Sequence, residues 1–158
     1  MESNKNLTKE NIIEAQNLWG NGIVKIGADF MEKKDYTQTA KDHINSLYAY
    51  DISKVLFKPT KAAQDQFRPS KETALSYFVA TNEACSEDKG FAIQPWTKVR
   101  FENSDIILQG ETALAMGNYF FTDTDGVETK VEYTFGYILD NEGTVRINLH
   151  HSSLPFSA

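Results

Sequence analysis

The chain has 158 residues, 41% of them hydrophobic, with 16 Lys and Arg against 22 Asp and Glu for a formal charge of −6. A domain of about 150 residues buries roughly 70% of the surface its unfolded chain exposes, so residues 1–158 are expected to form one domain around one core. The acidic balance and the absence of a Lys/Arg cluster exclude nucleic acid as a partner. Apolar runs of a few residues exclude a membrane span, which needs about 20.

From Thr8, a candidate N-cap, the residues Ile12, Ala15, Trp19, Ile23, Ile26 and Phe30 recur at three- and four-residue steps and predict an amphipathic helix. A second helix is expected from about Thr37 to Tyr48, capped by Thr37, with Ala40, Ile44 and Leu47 on its apolar stripe. Val55 to Lys58 reads as a short extended piece halted by Pro59, and Lys61 to Arg68 as a loop. Pro69 and Ser70 introduce a third helix, Lys71 to about Thr81. After a polar loop, six strands are expected: Phe91–Ile93, Thr97–Glu102, Ile106–Leu108, Thr112–Thr122, Thr129–Leu139 and Thr144 to about Ser152. Asp125-Gly126 and Asn141-Glu142-Gly143 supply hairpin turns between them. Helices first and a meander second predict an α+β fold, one curved antiparallel sheet whose concave face is covered by the early helices.

The last strand carries the chemistry. Period-two alternation puts Val145, Ile147, Leu149, His151 and Ser153 on the core-facing side, so an imidazole and a hydroxyl stand where apolar residues would complete the pattern. The bland alternative is that both sit, half solvated, at a sheet end. His150 and His151 point to opposite faces of a regular strand and cannot share a metal, and His43 is the remaining histidine. The single cysteine, Cys85, permits neither an internal disulfide nor a cysteine metal cage. No P-loop, GxGxxG, GxSxG or HExxH is present. Met1 to Thr8 is polar and lacks the apolar segment of a secretory signal, so the expected location is cytoplasmic.

Three separated motifs, Phe57-Lys-Pro-Thr60, Ala74-Leu-Ser-Tyr-Phe78 and Arg146-Ile-Asn-Leu-His-His-Ser-Ser-Leu-Pro-Phe156, resemble the iota-class carbonic anhydrases, in that family's order. The resemblance implies a cone-shaped sheet packed on N-terminal helices, similar to nuclear transport factor 2, SnoaL cyclases and the association domain of calcium/calmodulin-dependent kinase II. It implies CO2 and bicarbonate as substrates, with Thr60, Tyr77, His151 and Ser153 as the site residues. The group that orients or deprotonates water is then His151 or, equally allowed, the Tyr77 hydroxyl acting with a water chain. Family members are either manganese-dependent or metal-free. The scarcity of ligands here favours the metal-free type, with no cofactor; manganese or zinc is the less favoured alternative. A homodimer is expected through the exposed sheet face. Two other readings of such a cone are a non-catalytic oligomerisation or ligand-binding module, and an isomerase or cyclase, which would need a carboxylate in the pocket.

Overall fold

A computed structural model describes residues 6–158; Met1–Lys5, part of the polar stretch read as lacking a signal segment, lie outside the described residues. Thr8 caps the first helix as the spacing predicts: its hydroxyl accepts the Asn11 N–H and the Asn11 side chain accepts the Thr8 N–H. Helix α1 (Lys9–Met31) then buries Ile12, Trp19, Ile23 and Ile26 along one stripe. Each large side chain so buried contributes about 1.5–3 kcal/mol.

Helix α2 (Tyr36–Leu47) starts one residue earlier than expected, because the cap is Asp35 rather than Thr37. The Asp35 carboxylate accepts the Gln38 N–H at 3.1 Å, and a negative charge suits the positive end of the helix dipole. The Thr37 hydroxyl bonds Thr81 instead. Helix α3 (Lys71–Val79) is capped by Ser70 and stops at Ala80, which turns left-handed at φ 56°, so it ends before the expected Thr81. No described helix is long and apolar enough to cross a membrane.

Five strands form one open sheet in the order β1-β5-β4-β3-β2: β1 (Leu56–Lys58), β2 (Lys98–Gln109), β3 (Thr112–Thr122), β4 (Glu128–Leu139) and β5 (Val145–Ser153). Strands β2 to β5 are the expected antiparallel meander, while β1 adds to its edge parallel to β5, with Phe57 opposite His150. Phe91–Ile93 is a 3₁₀ turn, not a strand; a three-residue apolar run has too little period to tell the two apart. The two strands expected on either side of Asn103 to Asp105 are one, β2, whose pairing slips there so that Ser104 has no partner. Such a bulge bends the strand, and Gln16 of α1 ties to the bend by exchanging two hydrogen bonds with Asn103.

A second bulge decides which side chains of β5 enter the core. Gly136 pairs with Leu149 and its neighbour Tyr137 with Ile147, leaving Asn148 unpaired. The three helices close over the concave face. At the centre Trp19 lies within 6.1 Å, ring centre to ring centre, of Phe101, Tyr119, Phe121 and Phe135.

Candidate active site

Ile147 faces the core before the bulge, and beyond it His150 and Ser152 do, at 2% and 1% exposure. His151 is exposed, and Ser153 is half-buried with its hydroxyl 3.3 Å from the Glu132 carboxylate. The expectation that His151 and Ser153 point inward is therefore corrected. Unbroken alternation counts straight through Asn148, whereas one extra residue exchanges the faces of everything after it.

The other two expected residues stand at the pocket. Pro59 ends β1, and the next residue, Thr60, brings its Oγ1 to 2.5 Å from Ser152 Oγ. Tyr77, buried on the inner side of α3, accepts the Lys61 N–H on its hydroxyl at 3.3 Å. Behind them Tyr119 donates to Ser152 Oγ at 2.5 Å and lies 3.1 Å from His150 Nε2. Tyr48 Oη lies 2.8 Å from His150 Nδ1 and receives the Trp19 indole N–H at 2.9 Å. Thr60, Tyr77, Ser152 and His150 all border a narrow cavity of ≈ 10 Å³, room for about one water. Next to it, sharing Tyr77 and Phe91 as walls, is a vestibule of ≈ 290 Å³ bordered by Lys61, Glu87, Asp88 and Lys89.

The imidazole of His150 is sandwiched between Phe57, with ring centres 4.7 Å apart and planes 9° apart, and Phe135, at 4.1 Å and 21°. Burial in that apolar stack holds its pKa well below the usual 6.5, so the ring is neutral at pH 7. Burial pushes the Tyr77 and Tyr119 hydroxyls upward, which keeps them protonated and able to donate. In the vestibule, burial and then the neighbouring Lys89 lower Lys61. The loop carrying Thr60 is clamped at its far end: the fully buried Arg68 holds Asp88 through two contacts of 2.6 and 2.8 Å, and the Glu87 carboxylate accepts the N–H groups of Ala63, Gln64 and Asp65.

No Asp or Glu borders the cavity, so the carboxylate that an isomerase or cyclase would use is missing from it. Among the described residues, no three His, Cys, Asp or Glu side chains converge as a metal site would require. A larger groove, ≈ 580 Å³ between α1, α2 and the β4–β5 turn, holds none of the expected site residues. The smaller cavity is the better candidate, because convergent polar groups rather than size define a reactive site.

The family described as metal-independent carbonic anhydrase matches residues 10–154. The chain belongs to the metal-independent carbonic anhydrase family. A metal-independent carbonic anhydrase from Nostoc sp. is 40% identical over 156 residues, which is 97% of this chain and 76% of that protein. The crystal structure of a cyanobacterial iota-carbonic anhydrase complexed with bicarbonate superposes with a TM-score of 0.96 at 37% identity, covering 100% of this chain and 98% of that one. The iota-class resemblance and the metal-free character expected from the sequence both agree with these matches. More distant structures share the fold alone. They include a calcium/calmodulin-dependent protein kinase II association domain from Xanthomonas campestris (TM-score 0.61, 22% identity, 90% and 84% coverage) and a nuclear transport factor 2-like protein from Salmonella enterica (0.58, 16%, 95% and 92%).

Sequence reasoning missed His150 and Ser152 through the bulge, and it gave Trp19, Tyr48 and Tyr119 no role beyond packing. A signal for the bulge was present: Gly136 is a glycine inside a strand, a common mark of an irregularity or a close approach. Its missing β-carbon would sit 2.7 Å from Asn148 Oδ1.

Proposed function

We propose that this chain, acting as one domain over residues 1–158, catalyses the reversible hydration of CO2 to bicarbonate and a proton in the cavity bordered by Thr60, Tyr77, Ser152 and His150. The supporting observation is the convergence of four hydroxyls, those of Thr60, Tyr77, Tyr119 and Ser152, and a neutral imidazole on a water-sized cavity, in a family with a cyanobacterial member that holds bicarbonate. Hydration joins the water oxygen to carbon, moves one C–O π pair onto oxygen as negative charge, and releases a proton. Donors aimed at that oxygen stabilise the transition state more than linear, apolar CO2. Thr60 and Tyr77 are those donors, and Ser152 orients Thr60.

The imidazole is not the base. His150 has both ring nitrogens against tyrosine hydroxyls and is neutral, so it orders its neighbours, and the proton of the reaction passes to water in the vestibule. Lys61 and Lys89 line that vestibule together with Glu87 and Asp88, whose carboxylates are engaged by Arg68 and by the Ala63–Asp65 N–H groups, so the lysines are the charged groups there left to meet an anionic product. With no metal to bring the pKa of water from about 15.7 to about 7, turnover is slower than in a zinc enzyme. Thr60→Val and Tyr77→Phe test the donors. Each is expected to reduce kcat for CO2 hydration by about 100-fold in stopped-flow assays, the usual effect of deleting one donor to a developing oxyanion. Wild-type rates in both variants would remove the site.

A homodimer is part of the same proposal, formed through the outer sheet face, where Ile107, Leu114 and Met116 are exposed side by side on β2 and β3. Sedimentation velocity is expected to give twice the chain mass, and a monomer at every concentration would contradict it.

A further inference from the structure

The polar groups along the cavity wall, with Tyr48 behind it, form one unbroken line, from Trp19 Nε1 through Tyr48 Oη, His150, Tyr119 Oη and Ser152 Oγ to Thr60 Oγ1. An indole nitrogen has a hydrogen to give and no lone pair to offer, so Tyr48 Oη must accept from Trp19 at 2.9 Å. The hydrogen of Tyr48 then has His150 Nδ1, at 2.8 Å, as the acceptor it contacts, and turning it elsewhere would leave a fully buried donor unmade. A neutral imidazole that accepts at Nδ1 carries its hydrogen on Nε2 and gives it to Tyr119 Oη at 3.1 Å. The other end of the line agrees independently. Tyr119 is the donor in its contact with Ser152, so toward the imidazole it can only accept. Either hydroxyl of the Ser152–Thr60 contact could donate, but Ser152 is buried and accepts from Tyr119, so Thr60 Oγ1 is the acceptor its own hydrogen contacts, and the Thr60 hydrogen is then turned away from Ser152.

We infer that Tyr48, anchored by Trp19, sets the polarity of this line: it locks His150 as the Nε2–H tautomer and thereby makes Thr60 present a hydrogen, not a lone pair, to the substrate. The inference rests on the reaction site proposed above. Tyr48 does not border the cavity, and Trp19 borders it but gives its N–H to Tyr48, so both act as positioning residues. The same polarity keeps the line from draining the reaction's proton. Inward transfer from Thr60 would require every hydroxyl to reverse and would end at Tyr48 and Trp19, neither of which takes up a proton near neutrality.

Nitrogen-15 NMR of histidine-labelled protein, with His150 assigned by elimination in His43→Gln and His151→Gln variants, reads the tautomer directly, and stopped-flow CO2 hydration on the same samples reads the rate. The wild-type protein is expected to show an unprotonated Nδ1 and a protonated Nε2. Tyr48→Phe, which keeps the ring and its packing, is expected to give mixed tautomers and a kcat lower by about tenfold to 100-fold. A proton on Nδ1 in the wild type overturns the inference, and that measurement stands even if the variant does not fold. So does any Tyr48→Phe result in which tautomer and rate fail to move together, since a merely structural role would alter the rate alone. A wild-type protein with the Nε2–H tautomer and no CO2 hydration would overturn the proposed function instead and leave the polarity in place.

Discussion

His150 lies face to face with Phe57 and Phe135, and His43 meets Trp19 and Phe78 with its ring against Gly22, where a β-carbon would overlap it. Burial disfavours the charged form of both imidazoles. Burial brings the pKa of His43 down to about 3, with its Nε2 unpartnered, and holds His150 well below 6.5. The unfolded chain therefore binds more protons than the folded one from about pH 6.5 downward. Stability is fully present above pH 6.5 and falls as the pH falls, by roughly 1.4 kcal/mol per pH unit for each imidazole. Urea unfolding at pH 7, 5.5 and 4.5 is expected to show that decline, with about half the slope in His43→Gln. Equal stability at pH 7 and 5 would contradict the neutral buried state. His43 was legible as one of three histidines, but its burial was not, since helix periodicity gives a face and not a depth.

At the scale of the element, the Asn148 bulge decides whether β5 offers the pocket His150 and Ser152 or His151 and Ser153. It fits because Gly136 opposite has no side chain: a β-carbon there would come within 2.8 Å of Leu149 Cβ as well as 2.7 Å of Asn148 Oδ1. Gly136→Ala is expected to cost about 1–3 kcal/mol, as overpacking in a filled interior does, and to lower activity by moving Ser152 from Thr60. Thermal melts beside rate assays check this, and a variant unchanged in both would mean that the strand tolerates the extra carbon. The helices were legible because three- and four-residue periods and the caps Thr8 and Ser70 reinforce each other over several turns. The bulge was not, because alternation counts residues and an unpaired residue leaves the composition of a strand unchanged. For the same reason polar Asn103 to Asp105 looked like a break in β2 when it is a bend.

Across the whole molecule, three motifs far apart in sequence meet at one cavity: the end of β1 supplies Thr60, α3 supplies Tyr77, and β5 supplies His150 and Ser152. Their order in the chain made the family legible, and two of the residues they pointed to, Thr60 and Tyr77, border this cavity. What stayed hidden exists only in three dimensions. Trp19, Tyr48 and Tyr119 read as core aromatics, which they are, and only the fold links their polar atoms to the pocket through hydrogen bonds. The Arg68–Asp88 pair likewise becomes a clamp on the Thr60 loop only once the loop has closed over it. The central claim, metal-free CO2 hydration by the hydroxyls gathered inside the cone, is tested most directly by stopped-flow hydration with chelator-dialysed protein, comparing wild type with Ser152→Ala and Ser153→Ala. Activity in the metal-free wild type, lost by about 100-fold in Ser152→Ala and kept in Ser153→Ala, is the predicted result. Activity that returns only with added metal, or that is lost in Ser153→Ala and kept in Ser152→Ala, would contradict it.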